Sequence, residues 1–303
     1  MAIKLDPTID KKKWKMDGKT IAFAFMGILG VFWLIPLLWM ILNSFKQDSE
    51  FITSFASLNG ALDYLSRLIP KEATLENYTE LFFGGENINT TSDILKMFYN
   101  SFIVSITQTV VIVIITSMSA YAYERLEFKG GNGIFWTLLY ISMFPSILLL
   151  LPMFRIANAL DWVNNINALI WPSVAGVFNI FLIRNFMKGI PMELDEAAKI
   201  DGANSFQVYT KMILPSIAPV MIVVGLFAFN TAWNDFLWPT IVMSDPSNQT
   251  LTPGLRLLSG QYEQRWAHMI ASCLISMIPP LALYLVAQKH FLRGISIGAA
   301  VKG

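Results

Sequence analysis

Charge is absent from six long stretches of this chain, and that pattern limits what it can fold into. The uncharged runs cover residues 20–45, 97–123, 130–154, 162–183, 212–234 and 266–288, and each is 22 to 27 residues long. A helix rises about 1.5 Å per residue, and a hydrocarbon layer of about 30 Å takes about 20 residues to cross. Each run is long enough to cross once and too short to cross twice. Only 14% of the chain is charged and 54% is hydrophobic, whereas a soluble domain carries about 25% charged residues. So few charges cannot coat a water-facing surface. The sequence predicts an all-α polytopic membrane protein with six transmembrane helices.

A membrane β-barrel is excluded by the absence of alternation. Its strands would run about 10 residues with every second side chain polar, whereas LLYISMFPSILLLLPMF is apolar on every face. The run 162–183 is the most polar, with Asn164, Asn165, Asn167 and Asn179, and a re-entrant or interfacial segment is its alternative reading. A net charge of +1 without a basic face argues against a nucleic-acid binder. The single cysteine, Cys273, rules out an intrachain disulfide, and two histidines are too few for a His-based metal site.

Lysine and arginine counts orient the spans. The arm 1–20, the loop 121–133, the loop 184–212 and the tail from Lys289 hold 15 basic residues, against seven in the alternate segments. Both termini are therefore expected in the cytoplasm. The expected spans are 21–42, 97–120, 133–154, 166–186, 213–238 and 266–288. The first is read as an anchor and not a cleaved signal, because its apolar run is too long and lacks a small-x-small cleavage pattern. The segment 43–96 carries twelve charges with Tyr78, Leu81, Phe82 and Phe83 among them, and reads as a small extracytoplasmic cap.

The loop 188–212 holds the densest local signals. Pro191 suits the first turn of a helix, where its missing N–H costs nothing. Glu193, Asp195 and Glu196 then place negative charge near that helix's positive end. Gly202 is a candidate left-handed C-cap, and a second short helix can restart after Asn204 or Ser205 and lead to Pro215. Leu194, Ala197 and Ala198 form a small apolar ridge on which another surface could close. The plainer reading is a loop that packs on its own membrane domain.

The same residues resemble the EAA loop of binding-protein-dependent ABC importers, EAA-x3-G-x9-I-x-LP. Glu196-Ala197-Ala198 are followed at the family spacing by Gly202 and by Leu214-Pro215, with Met212 where the pattern has Ile. Asp201 and Ala203 flank the glycine as DGA, the form typical of the carbohydrate branch. The resemblance extends from about Asn100 to Gly303, through Trp233-Asn234-Asp235-Phe236-Leu237-Trp238-Pro239 to an ending similar to that of maltose-type, MalG-like permeases.

The resemblance implies a type I, MetI-like permease core over residues 97–288, followed by a cytoplasmic tail, 289–303. It also implies a non-enzymatic subunit that binds no cofactor, ATP and magnesium being used by two partner ATPases. The other partners it implies are a homologous MalF-like permease and an extracytoplasmic sugar-binding protein. Glu196, Ala197, Ala198, Asp201, Gly202, Ala203, Leu214 and Pro215 become the ATPase-coupling residues. By the same likeness the outer loop 239–265 reaches towards the binding protein, and the tail towards the ATPases. The expected function is a permease subunit of an ATP-driven importer for an oligosaccharide or related sugar. The alternatives are a polyol or glycerol phosphate as cargo, or a stand-alone secondary carrier.

No charge lies deep in a span, which argues against an ion-coupled carrier. Asn230, Trp233 and Asn234 combine amides and an aromatic ring near the outer end of span five, and are candidate pore or cargo contacts. The family resemblance assigns them no role. Pro145, Pro152 and Pro279-Pro280 are expected to kink spans three and six. His268 and His290 are read as interfacial, and Cys273 as a small buried hydrophobe.

Overall fold

Prolines stand near each break in these apolar runs, although Pro36, Pro279 and Pro280 lie inside unbroken helices. The computed structural model describes residues 18–51, 68–83, 91–126, 128–257 and 265–300, with side chains for all of these except 91–93 and 290–300. The arm 1–17 and the residues 301–303 of the tail lie outside the described residues. Every regular element described is helical.

Three helices are long and apolar enough to cross a membrane unaided: α1 (Gly18–Ser44), α3 (Thr91–Arg125) and α14 (Trp266–Ala300), with α2 (Glu76–Phe83) between the first two. Three bent pairs bring the total to six if each pair is one span. In the first, α4 (Gly131–Ser142) meets α5 (Leu150–Ala159) through a short turn, Ser146–Leu149, at 92°. Pro145 explains the corner, since the residue before a proline is pushed out of the helical region and α4 stops at Ser142. The expected single helix over 133–154 is thus two helices at nearly a right angle. In the second, α6 (Ile166–Ile170) and the turn Trp171–Ser173 are separated from α7 (Val177–Met187) by the unwound residues 174–176, with a bend of 42°.

The third pair follows α8 (Glu193–Ile200). It runs from α9 (Ser205–Val208) through a wide turn at Tyr209–Ile213 and α10 (Leu214–Ser216) into α11 (Ala218–Trp233), with a 77° bend. Pro215 and Pro219 fit only first turns, so the helix is re-initiated at each. The longest helix within the expected span 213–238 is therefore 218–233. Two short helices follow, α12 (Leu237–Val242) and α13 (Leu251–Leu257). By contrast α14 runs through Pro279 and Pro280 without a break.

The central helix is α3, which touches α4, α6, α7, α11 and α13. Gly225 brings α11 close to it, with Thr109 and Val113 in ordinary contact where a Cβ would stand. Most of α1 is exposed and apolar on every side, as a lipid-bathed helix must be. Its end is fastened by Asn77, whose amide donates to the carbonyls of Ser44 and Lys46 at 2.8 Å each. The described part of 43–96 is thus a cap on the end of α1.

His268 stands in the first turn of α14 with its side chain buried. Its ring lies 2.5 Å from Glu80 and 3.8 Å from Asp48, and Arg265 pairs with the same two carboxylates. Burial pushes the Asp48 carboxyl up, but the His268 ring, the Ala267 amide and the Arg265 charge outweigh it and hold that carboxyl below its ordinary range. Cys273 is half-buried, more open than expected. His290 falls among the residues whose side chains are not described.

Candidate functional site

The loop between α7 and α11 is built from local signals first. Pro191 sits just before the N-cap Met192, two positions earlier than a proline at the first helical residue, and α8 starts at Glu193. Asp201 caps the other end. Gly202 follows at φ +84, its N–H donating to Lys199 O at 3.0 Å while the Ala203 N–H donates to Ala198 O at 2.9 Å. These two bonds are the Schellman motif that a left-handed glycine permits. Asn204 then opens α9 with a capping box: its side chain accepts from Gln207 N, and the Gln207 side chain accepts from Asn204 N, both at 2.9 Å.

The apolar ridge divides in two. Ala198 turns inward and is buried with Ile183, Met187, Val208 and Ile213. Ala197 and Leu194 stay outside, and Ile200 (86% exposed) and Phe206 (64%) join them. Glu196 is exposed on the same outer side. Leu214 is half-buried against the core, and Pro215 marks the restart of the chain towards α11.

What holds this loop is the end of α3. Arg125 Nη2 donates to the carbonyls of Met187 (3.1 Å) and Ile190 (2.7 Å), while Nη1 lies against the Met192 sulfur and 3.5 Å from Asp195 Oδ2. One turn earlier, Tyr121 donates its hydroxyl to Ser205 O at 3.0 Å, and the Ser117 and Tyr209 hydroxyls share a hydrogen bond of 2.8 Å. Glu124 accepts from Arg184 Nε at 2.8 Å. Arg184 also donates to Asn132 and covers the Phe135 ring at 4.3 Å. Bonds of this kind, to a charged and largely desolvated group, are stronger than neutral ones. The loop and the end of α3 therefore form one rigid block.

Sequence reasoning did not find Ser117, Tyr121, Glu124, Arg125 and Arg184 as a clamp. The signal available was an acid–base pair, Glu124-Arg125, at the end of one span, with Arg184 and Asp195 in the facing loop. Only the contacts say which pairs with which.

At the opposite end, the three pore candidates separate. Trp233 is buried, with Nε1 donating to Ser276 O at 2.9 Å and its ring stacked on Phe229 and edge-on to Phe98. Its role is helix packing. Asn230 and Asn234 are exposed, and Asn234 Nδ2 donates to Asn230 Oδ1 and to its carbonyl, both at 2.9 Å. With Phe227 and Thr231 they form an exposed stripe of mixed polarity along α11.

The loop after α12 is tied down by Asn164. It adopts φ +61, and its Oδ1 accepts from Ser244 N at 2.7 Å and from Asp245 N at 3.0 Å. Asn100 donates to the carbonyls of Ser247 (3.2 Å) and Gln249 (3.0 Å), so the loop is also fixed to α3. Among the described residues, no group of three His, Cys, Asp or Glu side chains could hold a metal ion.

The family described as "Binding-protein-dependent transport system inner membrane component" matches residues 112–297, a stretch that includes the whole clamped loop. The chain belongs to this family. It is a multi-pass inner-membrane permease of the ABC-importer class, a family of transport components and not of enzymes. Among its relatives is the arabinooligosaccharides transport system permease protein AraQ of Halalkalibacterium halodurans, 32% identical over 284 residues, covering 94% of this chain and 95% of that protein. The trehalose/maltose transport system permease protein MalG of Thermococcus litoralis is also 32% identical, over 90% of this chain and 93% of its own. Equal identity to the two does not single out the maltose-type branch within the carbohydrate-type permeases. A bacterial ABC transporter involved in the import of the acidic polysaccharide alginate shares the fold, with a TM-score of 0.72 over 90% of this chain and 96% of the matched one, at 20% identity.

Proposed function

We propose that this permease is one half of the translocation pore of an ATP-driven importer for an oligosaccharide or related sugar. It crosses the membrane six times, each bent pair counting as one span, with both termini in the cytoplasm. The basic-residue bias towards the arm, the 121–133 loop, the 184–212 loop and the tail supports that orientation. Curated relatives named for arabinooligosaccharides and for trehalose and maltose support the cargo class. The partners are a second permease, two ATPases that use ATP and magnesium, and an extracytoplasmic sugar-binding protein.

One observation carries the coupling role: the loop presents Leu194, Ala197, Ile200 and Phe206 outward while Arg125 bolts its back to α3. An apolar surface held this rigidly transmits a push into the helices and does not absorb it. Glu196, Ala197, Ala198, Asp201, Gly202, Ala203, Leu214 and Pro215 serve as the coupling segment, those outside as contact and those inside as its support. Asn230 and Asn234 face the partner permease or the pore, because the amide groups their mutual hydrogen bond leaves over would have no partner in lipid.

The test is co-purification of the assembled transporter from detergent, followed by sugar uptake in vesicles. The chain should come out with an ATPase and a second permease, and uptake should need ATP and a binding protein. Uptake by this chain alone without ATP would overturn the reading.

A further inference from the structure

A broken helix inside a membrane leaves backbone groups without partners, and such backbone is tolerated where it is buried in protein or lines a water-filled cavity. The break at 174–176 in span four opens on one. A cavity of ≈ 460 Å³ lies between α3, this break and the stripe on α11, a size within the range of small-ligand sites. Gln108, itself buried, donates to Leu169 O at 2.6 Å and fixes one wall. Asn179 folds back over Gly176, where a Cβ would stand 2.6 Å from its amide nitrogen, so only glycine leaves the amide that position.

The lining chemistry is specific. Asn179 and Thr231 have no hydrogen-bond partner for their side chains among the described residues. Asp235 Oδ1 accepts from Trp238 N at 3.4 Å, and a carboxylate has more acceptor sites than the backbone uses here. Phe178 and Phe227 are both more than half exposed and offer ring faces. Amide, hydroxyl and carboxylate groups bond sugar hydroxyls, and aromatic faces cover the apolar side of a sugar ring. Among the described residues no Lys or Arg lines the cavity, and the one charged group there is an acid.

We propose that this cavity is where the chain contacts its cargo, and that the cargo is a neutral sugar and not an anionic one, with Asn179, Asp235, Phe178 and Phe227 as the contact groups. The inference rests on the sugar-importer reading above. A phosphate or uronate would meet Asp235 with no cation to balance the repulsion, so the alternatives of glycerol phosphate and an acidic saccharide are disfavoured at this site.

The experiment uses the complete importer in proteoliposomes with maltotriose, arabinotriose, trehalose and an alginate trisaccharide as probes. A neutral sugar should be taken up and the alginate trisaccharide should not. Phe178→Ala and Asp235→Ala should each cut that uptake at least tenfold while the variant chain still co-purifies with the ATPase. Independently, in a Cys273→Ser background, Phe227→Cys should react with a membrane-impermeant maleimide, and the transported sugar should slow that reaction several-fold. Wild-type uptake rates in both Ala variants, together with labelling unaffected by sugar, would overturn the site. Uptake of the alginate trisaccharide in preference to the neutral sugars would overturn the charge argument. Failure to take up any of the sugars, or uptake without ATP, would count against the proposed function itself, whatever the variants do.

Discussion

Arg125, at the end of α3, and Asp195, in the first turn of α8, lie 3.5 Å apart with both side chains almost wholly buried. Asp195 Oδ1 and Arg125 Nε make no hydrogen bond among the described residues, so the pair attracts as charges and not as a forked bond. The carbonyls of Met187 and Ile190 add the directional part. Removing Arg125 strands a buried carboxylate, an effect on the order of 3–5 kcal/mol. Arg125→Ala should therefore destabilise the detergent-purified chain severely and abolish transport. Asp195→Ala leaves Arg125 its two carbonyls and should cost less. Thermal unfolding of both variants and of the double variant gives the coupling energy, and equal costs for the two single variants would contradict the assigned geometry.

Gly202 has φ +84 and open space where a Cβ would stand. Gly202→Ala should thus cost only the left-handed conformation, about 1–2 kcal/mol, and Gly202→Asn less. Melting temperatures in detergent test the order. Coupling should fall further in the Ala variant than its stability predicts, because the angle between α8 and α9 depends on this residue.

Ile200 and Phe206 are largely exposed, and the Phe206 ring lies 6.4 Å from that of Tyr209 between centroids. Ile200→Asp and Phe206→Asp should leave membrane insertion and the melting temperature close to wild type, yet abolish co-purification with the ATPase. Retained co-purification in both would remove the docking role from this surface.

Asp48 predicts an acid sensitivity of the cap end. Its folded-state pKa is depressed, so its stabilising contribution is complete above the unfolded value of about 3.9 and is lost as pH falls through the folded value. The fastening of α1 and α2 to the start of α14 should weaken in that acid range. Asp48→Asn should remove this pH-dependent component, seen as a flatter plot of melting temperature against pH below about 4.

Asn164 holds two loops from a left-handed backbone position. Asn164→Ala forfeits the side-chain bonds and keeps the strained angle, a loss of about 1–2 kcal/mol. Asn164→Gly relieves the angle and should lie between the two. Protease nicking within 239–265 should rise in the same order.

Much of this was legible in one dimension. The charge-free runs marked the segments that became α1, α3 and α14, because lipid selects for apolar length and little else. Gly202 and Asn204 announced their caps, since a left-handed turn and a capping box are decided within a few residues. The breaks were less legible. Pro145 turns its span by 92°, whereas Pro279 and Pro280 leave α14 continuous, and proline alone does not say which outcome neighbouring helices will favour. Trp233 misled for a related reason: an indole beside two amides looks like a sugar contact until its ring is found between Phe98 and Phe229.

The sequence by itself determined that the chain lives in a membrane, which segments are apolar and long enough to cross it, and that one loop resembles the importer signature. Those properties depend on length, apolarity and short-range spacing. Tertiary structure alone decided that Arg125 bolts that loop to α3, that Ala198 faces in while Ile200 faces out, and that the break at Gly176 opens on a cavity with Asp235. Each joins residues dozens of positions apart, or depends on which face of a helix its neighbours cover, and neither is written in the order of side chains along the chain.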